Sequence, residues 1–284
     1  MRNILVFGYG YVGKFLSKRL AKNGWKVYST SRNINISQPE KLKNITIYNF
    51  EDPMILEIIK KVDYILNTIP PYNNTDPVLS YYHKELLKKS FKWVGYLSST
   101  GVYGNYNGEW VNEETICIPT NDTSKQRLIV EGLWMVFFKG ISNPVNIFRL
   151  SGIYGPSRNI FEQIKKGKIH TTYKPGHYFS RIHVEDICQI LIHSMNNITH
   201  GQIYNISDDK PEQLHVLHDY ATTKMNVKPL IKVPIDDASL PKRAKEFFSD
   251  NKKVSNEKIK SILMIKLLYP NYKLGLDHLY SYLK

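Results

Sequence analysis

Cysteine is nearly absent from this chain. Cys117 and Cys188 are the only two in 284 residues, which excludes a disulfide framework and leaves no clustered Cys/His spacing for a zinc site. Both read as buried thiols, and no metal is expected. Long apolar runs are missing too. No stretch approaches the ~20 consecutive apolar residues of a membrane-spanning helix, and the run Ile4 to Phe7 is too short for a signal-peptide core. The expectation is a soluble protein of a reducing compartment, the cytoplasm, with no membrane partner. Acidic residues are scarce as well: 25 Asp and Glu stand against 39 Lys and Arg, for a formal charge of +14. Such a balance suits a nucleic-acid partner, but the lysines are scattered and no recognition-helix or RNA-binding signature accompanies them. No nucleic acid is expected; a basic surface would instead attract a small anionic substrate.

With 42% hydrophobic and 23% charged residues, the composition is that of an ordinary globular protein, long enough for one large domain and a smaller one. Short β-branched runs alternate with helical patterns through the first two hundred residues, which predicts a parallel sheet with helices on both faces. Strands are expected at Arg2 to Phe7, Trp25 to Thr30, Ile45 to Asn49, Val62 to Ile69, Trp93 to Ser98, Val145 to Leu150 and Gln202 to Ile206. Ser124 to Phe138 is apolar on nearly every side after its first turn, as expected of a helix buried against a sheet or against a second copy in a homodimer. Beyond Gly201, Pro211, Pro229, Pro234 and Pro241 punctuate a looser pattern that reads as a smaller lobe.

The first strand runs into Gly8-Tyr9-Gly10-Tyr11-Val12-Gly13, and a helix begins inside that loop. The spacing allows a tight turn at the first glycine, approach of a pyrophosphate at the second and close helix–strand packing at the third, with the helix N-terminus, including Tyr11 and Val12, facing the phosphates. A glycine-bearing turn with no ligand is the competing explanation of such a loop. In dinucleotide sites an acidic residue about twenty positions on reads the ribose. From Met1 to Pro39 there is no Asp or Glu, and the second strand ends Ser29-Thr30-Ser31-Arg32. Hydroxyls and a guanidinium suit a 2′-phosphate, so Ser31 and Arg32 are expected to bind NADP(H), with NAD the alternative. Arg32 could equally be a solvated loop residue.

Three further segments carry a resemblance: Leu97-Ser98-Ser99-Thr100-Gly101-Val102-Tyr103-Gly104, Arg149-Leu150-Ser151-Gly152-Ile153-Tyr154-Gly155-Pro156, and Arg181-Ile182-His183-Val184-Glu185-Asp186. Together with the glycine loop, and with Lys253-Val254-Ser255-Asn256 and Tyr269-Pro270-Asn271-Tyr272 near the C-terminus, they make the chain similar to the short-chain dehydrogenase/reductase superfamily, in its extended, nucleotide-sugar epimerase/dehydratase-like branch and its atypical members. The resemblance implies that Ser99, four residues before Tyr103, hydrogen-bonds the reacting oxygen. It also implies a Tyr four residues before a Lys as general acid/base, and here the chain departs from the pattern. Aligning on Glu131 puts Arg127 at the Lys and Thr123 at the Tyr; aligning on Ser124-Lys125 puts Asn121 at the Tyr. Neither register supplies a phenol. Arg127 could still hold the nicotinamide ribose, and Tyr103, Tyr106 and Lys125 are the nearest substitutes for the proton carrier, Lys125 if burial beside Arg127 lowers its pKa.

Thr68 and Pro70, at the end of the fourth strand, are expected beside the cofactor. Arg181 and Tyr103 are expected to face an anionic or sugar-like substrate, while His183 and Asp186 tie a late helix to the sheet. The segment Asn105 to Asn121, rich in Gly and Asn, could cap the site. The fold class expected is α/β, a Rossmann-type, doubly wound, mainly parallel sheet with a smaller C-terminal substrate lobe: 1–150 plus about 181–206 for the dinucleotide domain, about 151–180 plus 207–284 for the lobe. Function divides between an NADP-dependent oxidoreductase or epimerase/dehydratase-like enzyme acting on a hydroxyl or carbonyl of a sugar-like or nucleotide-sugar substrate, and a catalytically silent NADP(H)-binding sensor or scaffold.

Overall fold

The computed structural model describes residues 2–33, 43–139, 145–199 and 201–283. Along the chain these form β1 (Asn3–Phe7), α1 (Tyr11–Lys22), β2 (Lys26–Ser31), β3 (Ile45–Asn49), α2 (Met54–Lys61), β4 (Tyr64–Asn67), α3 (Pro77–Leu87), β5 (Trp93–Ser99) and a 3-10 turn at Thr100–Tyr103. β6 (Trp110–Val111), α4 (Asp122–Lys139), β7 (Val145–Leu150), β8 (Gly152–Tyr154), α5 (Ile160–Lys165), β9 (His170–Tyr173), β10 (Tyr178–Phe179), β11 (Arg181–His183), α6 (Val184–Asn196) and β12 (Ile203–Ile206) follow. The chain closes with β13 (Glu212–Gln213), α7 (Leu214–Met225), β14 (Ile231–Pro234), α8 (Lys242–Phe247), β15 (Lys253–Val254), α9 (Glu257–Leu263) and α10 (Tyr272–Ser281).

Seven of the strands form one sheet in the order β12-β7-β5-β4-β1-β2-β3. β1 pairs in parallel with β2 on one side and β4 on the other, so the strand order reverses at β1, the arrangement of a doubly wound Rossmann-type sheet. All seven lie within two residues of their predicted bounds; β4 is the shorter Tyr64–Asn67, two residues in at each end. Its exit is set by Asn67, fully buried, whose side chain accepts from Ile69 N and donates to Asp76. That amide turns the chain out of the sheet and ties it to the N-cap of α3, where Asp76 accepts from Leu79 N.

The contacts divide the chain into two compact units, 1–99, 125–149 and 187–204 in the first, 100–124, 150–186 and 205–284 in the second. The core of the first gathers Leu5, Phe7, Ile65, Val94 and Tyr96 from the sheet against Ile58, Tyr82 and Trp134 from the helices. Buried inside it, Arg149 makes a bidentate salt bridge to Glu131, with Nε at 3.1 Å and Nη2 at 2.7 Å. The second unit centres on Tyr154, Phe161, Leu217, Tyr272 and Leu276. α4 is less enclosed than its apolar sequence predicts: Val130, Trp134 and Phe138 are buried, but Ile129, Leu133 and Val136 form an outward stripe, Val136 being 74% exposed.

Candidate functional site

The parallel pairing brings the C-terminal ends of β1, β2, β4 and β5 to one edge of the first unit, and the glycine loop leaves from that edge. Gly8 has φ +100°, where an L side chain is strained, and a methyl group there would crowd the Thr68 hydroxyl. Its N–H donates to the Thr30 hydroxyl at 3.0 Å, and Tyr9 N donates to the Thr30 carbonyl at 2.7 Å. Thr68 closes the other side, its hydroxyl donating to the carbonyls of Phe7 and Gly8. The loop is thus pinned between β2 and β4.

Gly13 is buried, and a Cβ on it would overlap the Gly8 carbonyl oxygen, so the helix packs on the strand as closely as the motif requires. Gly10 differs from both. It is exposed, has an ordinary φ of −77°, and a Cβ there would meet no protein atom within 4 Å. Nothing in the protein demands glycine at this position, which is where a dinucleotide motif keeps glycine to leave room for a pyrophosphate. Gly10 is also the N-cap of α1, which has no side-chain cap and no acidic residue in its first turn, the electrostatic setting for an anion. This set fits the pyrophosphate of a dinucleotide.

At the end of β2, Ser29 and Thr30 are buried, Ser29 sharing a hydrogen bond with Ser17. Ser31 is half-buried and engaged with Asn33, donating to its carbonyl and accepting from its N–H. Arg32 is exposed. Of the calls on β4, Thr68 supports the loop through its hydroxyl, and Pro70 is exposed.

Ser99 is half-buried at the end of β5. Arg127 docks on the same strand, its Nη1 donating to the Leu97 carbonyl at 2.7 Å and to the Tyr96 hydroxyl at 3.4 Å. The substitutes for the absent phenol fare differently. Lys125 is exposed, not buried beside Arg127 as that role supposes. Tyr106 donates its hydroxyl to the Ile116 carbonyl. Tyr103 is completely buried and donates to Asn205 Oδ1 at 2.8 Å, so the expected substrate contact is replaced by a packing role.

Arg181 also turns inward. It is buried, and Nη1 donates to the carbonyls of Phe179 and Glu212 at 2.8 and 3.0 Å. Facing a substrate is therefore corrected to bracing the lobe. Asp186 accepts from Leu268 N and Tyr269 N, so it ties the start of α6 to the segment between α9 and α10 and not to the sheet as expected. His183 is fully buried against Tyr269 and Tyr154, and burial followed by the nearby His278 pushes its pKa down to about 4. Burial raises the Asp208 carboxyl well above the usual carboxylate range. The segment expected to move as a cap is stitched down. Lys252 donates to the Gly104 carbonyl, Thr120 to Asp250, and the Asn251 carbonyl accepts from Tyr106 N and Gly108 N.

Thr30 and Thr68 are supporting residues that motif spacing does not single out as such, because their role is set by pairing across the sheet. His177 and Asp208 are missed altogether; nothing in a single sequence marks a buried titratable group.

The glycine loop, the sheet order and the Ser99 element together define a Rossmann-type dinucleotide-binding architecture, and the chain belongs to the NAD dependent epimerase/dehydratase family, whose model matches residues 4–207. It is 25% identical to Protein YeeZ of Escherichia coli (strain K12) over 222 residues, 72% of this chain and 77% of that one. Among solved structures it is similar to a functionally unknown conserved protein from Silicibacter pomeroyi DSS, at 37% identity and TM-score 0.92 with 99% of each chain covered. A dTDP-glucose 4,6-dehydratase from Bacillus anthracis str. Ames in complex with NAD shares the fold at 19% identity and TM-score 0.76, covering 99% of this chain and 96% of that one. So does a UDP-glucuronic acid 4-epimerase from Bacillus cereus in complex with UDP-glucuronic acid and NAD, at 17% identity and TM-score 0.79, covering 99% and 98%.

Proposed function

We propose that the chain is an NADP(H)-dependent oxidoreductase or epimerase-like enzyme acting on a hydroxyl or carbonyl of a hydroxylated, sugar-like substrate. The observation that carries the cofactor half is Gly10, glycine by no demand of the protein itself, above a strand end that offers Ser31 and Arg32 and no carboxylate. The uncapped first turn of α1 would receive the pyrophosphate, and Arg32 would pair with a 2′-phosphate that a carboxylate would repel. When bound, the dinucleotide supplies hydride transfer. Ser99 would donate to the reacting oxygen and orient it. Arg127, already braced on the Leu97 carbonyl, would present its remaining N–H groups to the ribose. The second unit would hold the substrate. The dTDP-glucose dehydratase and UDP-glucuronic acid epimerase neighbours support a sugar-like reacting group by analogy of fold.

Titration with NADPH and NADH tests the cofactor. NADPH is expected to bind more tightly, and Arg32→Ala to weaken NADPH about tenfold or more while leaving NADH within about twofold; tighter NADH binding by the parent chain would overturn the assignment. Turnover is tested by hydride transfer from NADPH to a panel of keto-sugars and other ketones, with Ser99→Ala alongside; equal background rates in both favour the second reading. That reading, a silent NADP(H)-binding sensor or scaffold, is supported by one specific observation: the hydroxyls of Tyr103 and Tyr106 are both committed within the protein.

A further inference from the structure

After β4 the chain makes a short projection that is fastened at both ends. At its base Asn67 donates to the Asp76 carboxyl at 2.7 Å and accepts from Ile69 N at 2.8 Å, so residues 68–75 form a closed loop. At its tip Tyr72 and Thr75 pair as a two-residue hairpin, Tyr72 N donating to the Thr75 carbonyl and Thr75 N to the Tyr72 carbonyl, each at 3.0 Å. Between them Asn73 and Asn74 have φ of +48° and +59°, the left-handed pair of a type I′ turn. The Thr75 hydroxyl adds a bond to the Tyr72 carbonyl at 2.9 Å, and Pro70 and Pro71 lock φ on the ascending side.

Order of this kind ordinarily serves burial, and here it does not. Tyr72 is 69% exposed, and among the described residues its ring meets no other ring and its hydroxyl has no hydrogen-bond partner. A single exposed ring is common on protein surfaces; a ring on a fixed mount beside a ligand loop is not. The mount stands against the phosphate loop: the Thr68 hydroxyl donates to the Gly8 carbonyl at 2.9 Å, and a Cβ on Gly8 would lie 3.2 Å from Ile69 Cγ1. β4 borders β1 on the side away from β2. Where the strand order reverses at β1, a dinucleotide lies across the reversal with its pyrophosphate on the first helix and its adenosine ribose at the end of β2. The other nucleoside then falls on the β4 side, where Tyr72 stands.

We infer that Tyr72 contacts the nicotinamide riboside of the bound dinucleotide, the projection 68–75 being a preformed wall of that half of the site and the Tyr72 ring the surface on which the riboside packs. The inference rests on the dinucleotide reading above and deepens it, because Gly10, Ser31 and Arg32 address only the phosphates and the adenosine half. It gives the nicotinamide half a contact in addition to Arg127. A wall that is ordered before the ligand arrives loses little freedom on binding, and a tyrosine ring offers a large flat face with few rotatable bonds to fix.

The test compares NADPH with adenosine 2′,5′-bisphosphate, which keeps the adenosine and the 2′-phosphate and lacks the nicotinamide riboside, by calorimetric titration. Tyr72→Ala is expected to weaken NADPH about threefold to tenfold and to leave the bisphosphate within about twofold of the parent chain, which also shows that the variant is folded. Tyr72→Phe, which keeps the ring, is expected to bind both ligands as the parent does. NADPH affinity untouched by Tyr72→Ala, equal losses for the two ligands, or a loss in Tyr72→Phe as large as in Tyr72→Ala would overturn the contact and leave the cofactor reading standing. A parent chain that binds neither ligand sinks the cofactor reading, and this inference with it. If NADH proves the tighter dinucleotide, only the 2′-phosphate assignment falls, and NADH against adenosine 5′-monophosphate decides the contact in the same way.

Discussion

Gly10 and Gly13 stand three positions apart and answer to different demands, so the same substitution should split them. Gly13→Ala puts a methyl group onto the Gly8 carbonyl oxygen; overpacking of that kind costs about 1–3 kcal/mol, read as a melting point several degrees lower. Gly10→Ala meets no protein atom. It is expected to leave the melting point within about 2 °C and to weaken NADPH binding tenfold or more. A chain in which Gly10→Ala binds NADPH normally would have a glycine turn and no phosphate loop. The motif spacing shows all three glycines equally, but not which demand holds each. Spacing also cannot tell that Tyr103 and Arg181 point inward, since a hydroxyl or guanidinium is legible as chemistry while its commitment to Asn205 or to the carbonyls of Phe179 and Glu212 exists only in three dimensions.

At the scale of elements, the strands were readable because each is a short β-branched run flanked by turn residues, and β7 falls on the predicted Val145–Leu150. The excursion 100–124 into the second unit was not, because a stretch of loop, 3-10 turn and two-residue strand has no periodicity to read. α4 shows the limit of composition in another way. An all-round apolar sequence predicts full burial, yet the Ile129, Leu133, Val136 stripe faces outward. The homodimer expected of this helix can be tested at the stripe, whose helical spacing is that of a helix–helix seam. Leu133→Asp is expected to convert a dimer to a monomer in sedimentation velocity while leaving NADPH affinity within about twofold; a parent chain that sediments as a monomer at micromolar concentration would refute the pairing.

Across the whole molecule, buried titratable groups fix how stability follows pH. His177 and His183 are pushed down to about 4 and His218 to about 3, burial being the first cause in each. Each is neutral in the folded state where the unfolded histidine, near 6.5, is already charged. Their contribution is therefore present at neutral pH and is lost as pH falls from about 6.5 through 4. Burial raises Asp76 and Asp208, and these act in the opposite sense, favouring the fold below about 3.8 and losing that contribution as pH rises. The three buried histidines outnumber the two carboxyls, so between pH 6.5 and 4 the unfolded chain holds more protons than the folded one and stability falls as pH falls. The melting temperature should drop steeply between pH 6.5 and 4.5, and a flat profile there would contradict the burial of the histidines. The basic balance of the sequence tells nothing of this, because it counts surface charge and the effect arises from groups that hold none.

The division of the chain into units has a consequence for its synthesis. The backbone passes between the two units five times, at 99/100, 124/125, 149/150, 186/187 and 204/205, so no single cut releases either one whole. The first 99 residues nevertheless carry β1 to β5, an unbroken run of five adjacent strands. They leave the ribosome before Val145 opens β7, so for some 45 residues of elongation, several seconds at ~5–20 residues per second, the β5 edge of the nascent sheet has no neighbour, an interval in which a chaperone or a second nascent chain could take that place.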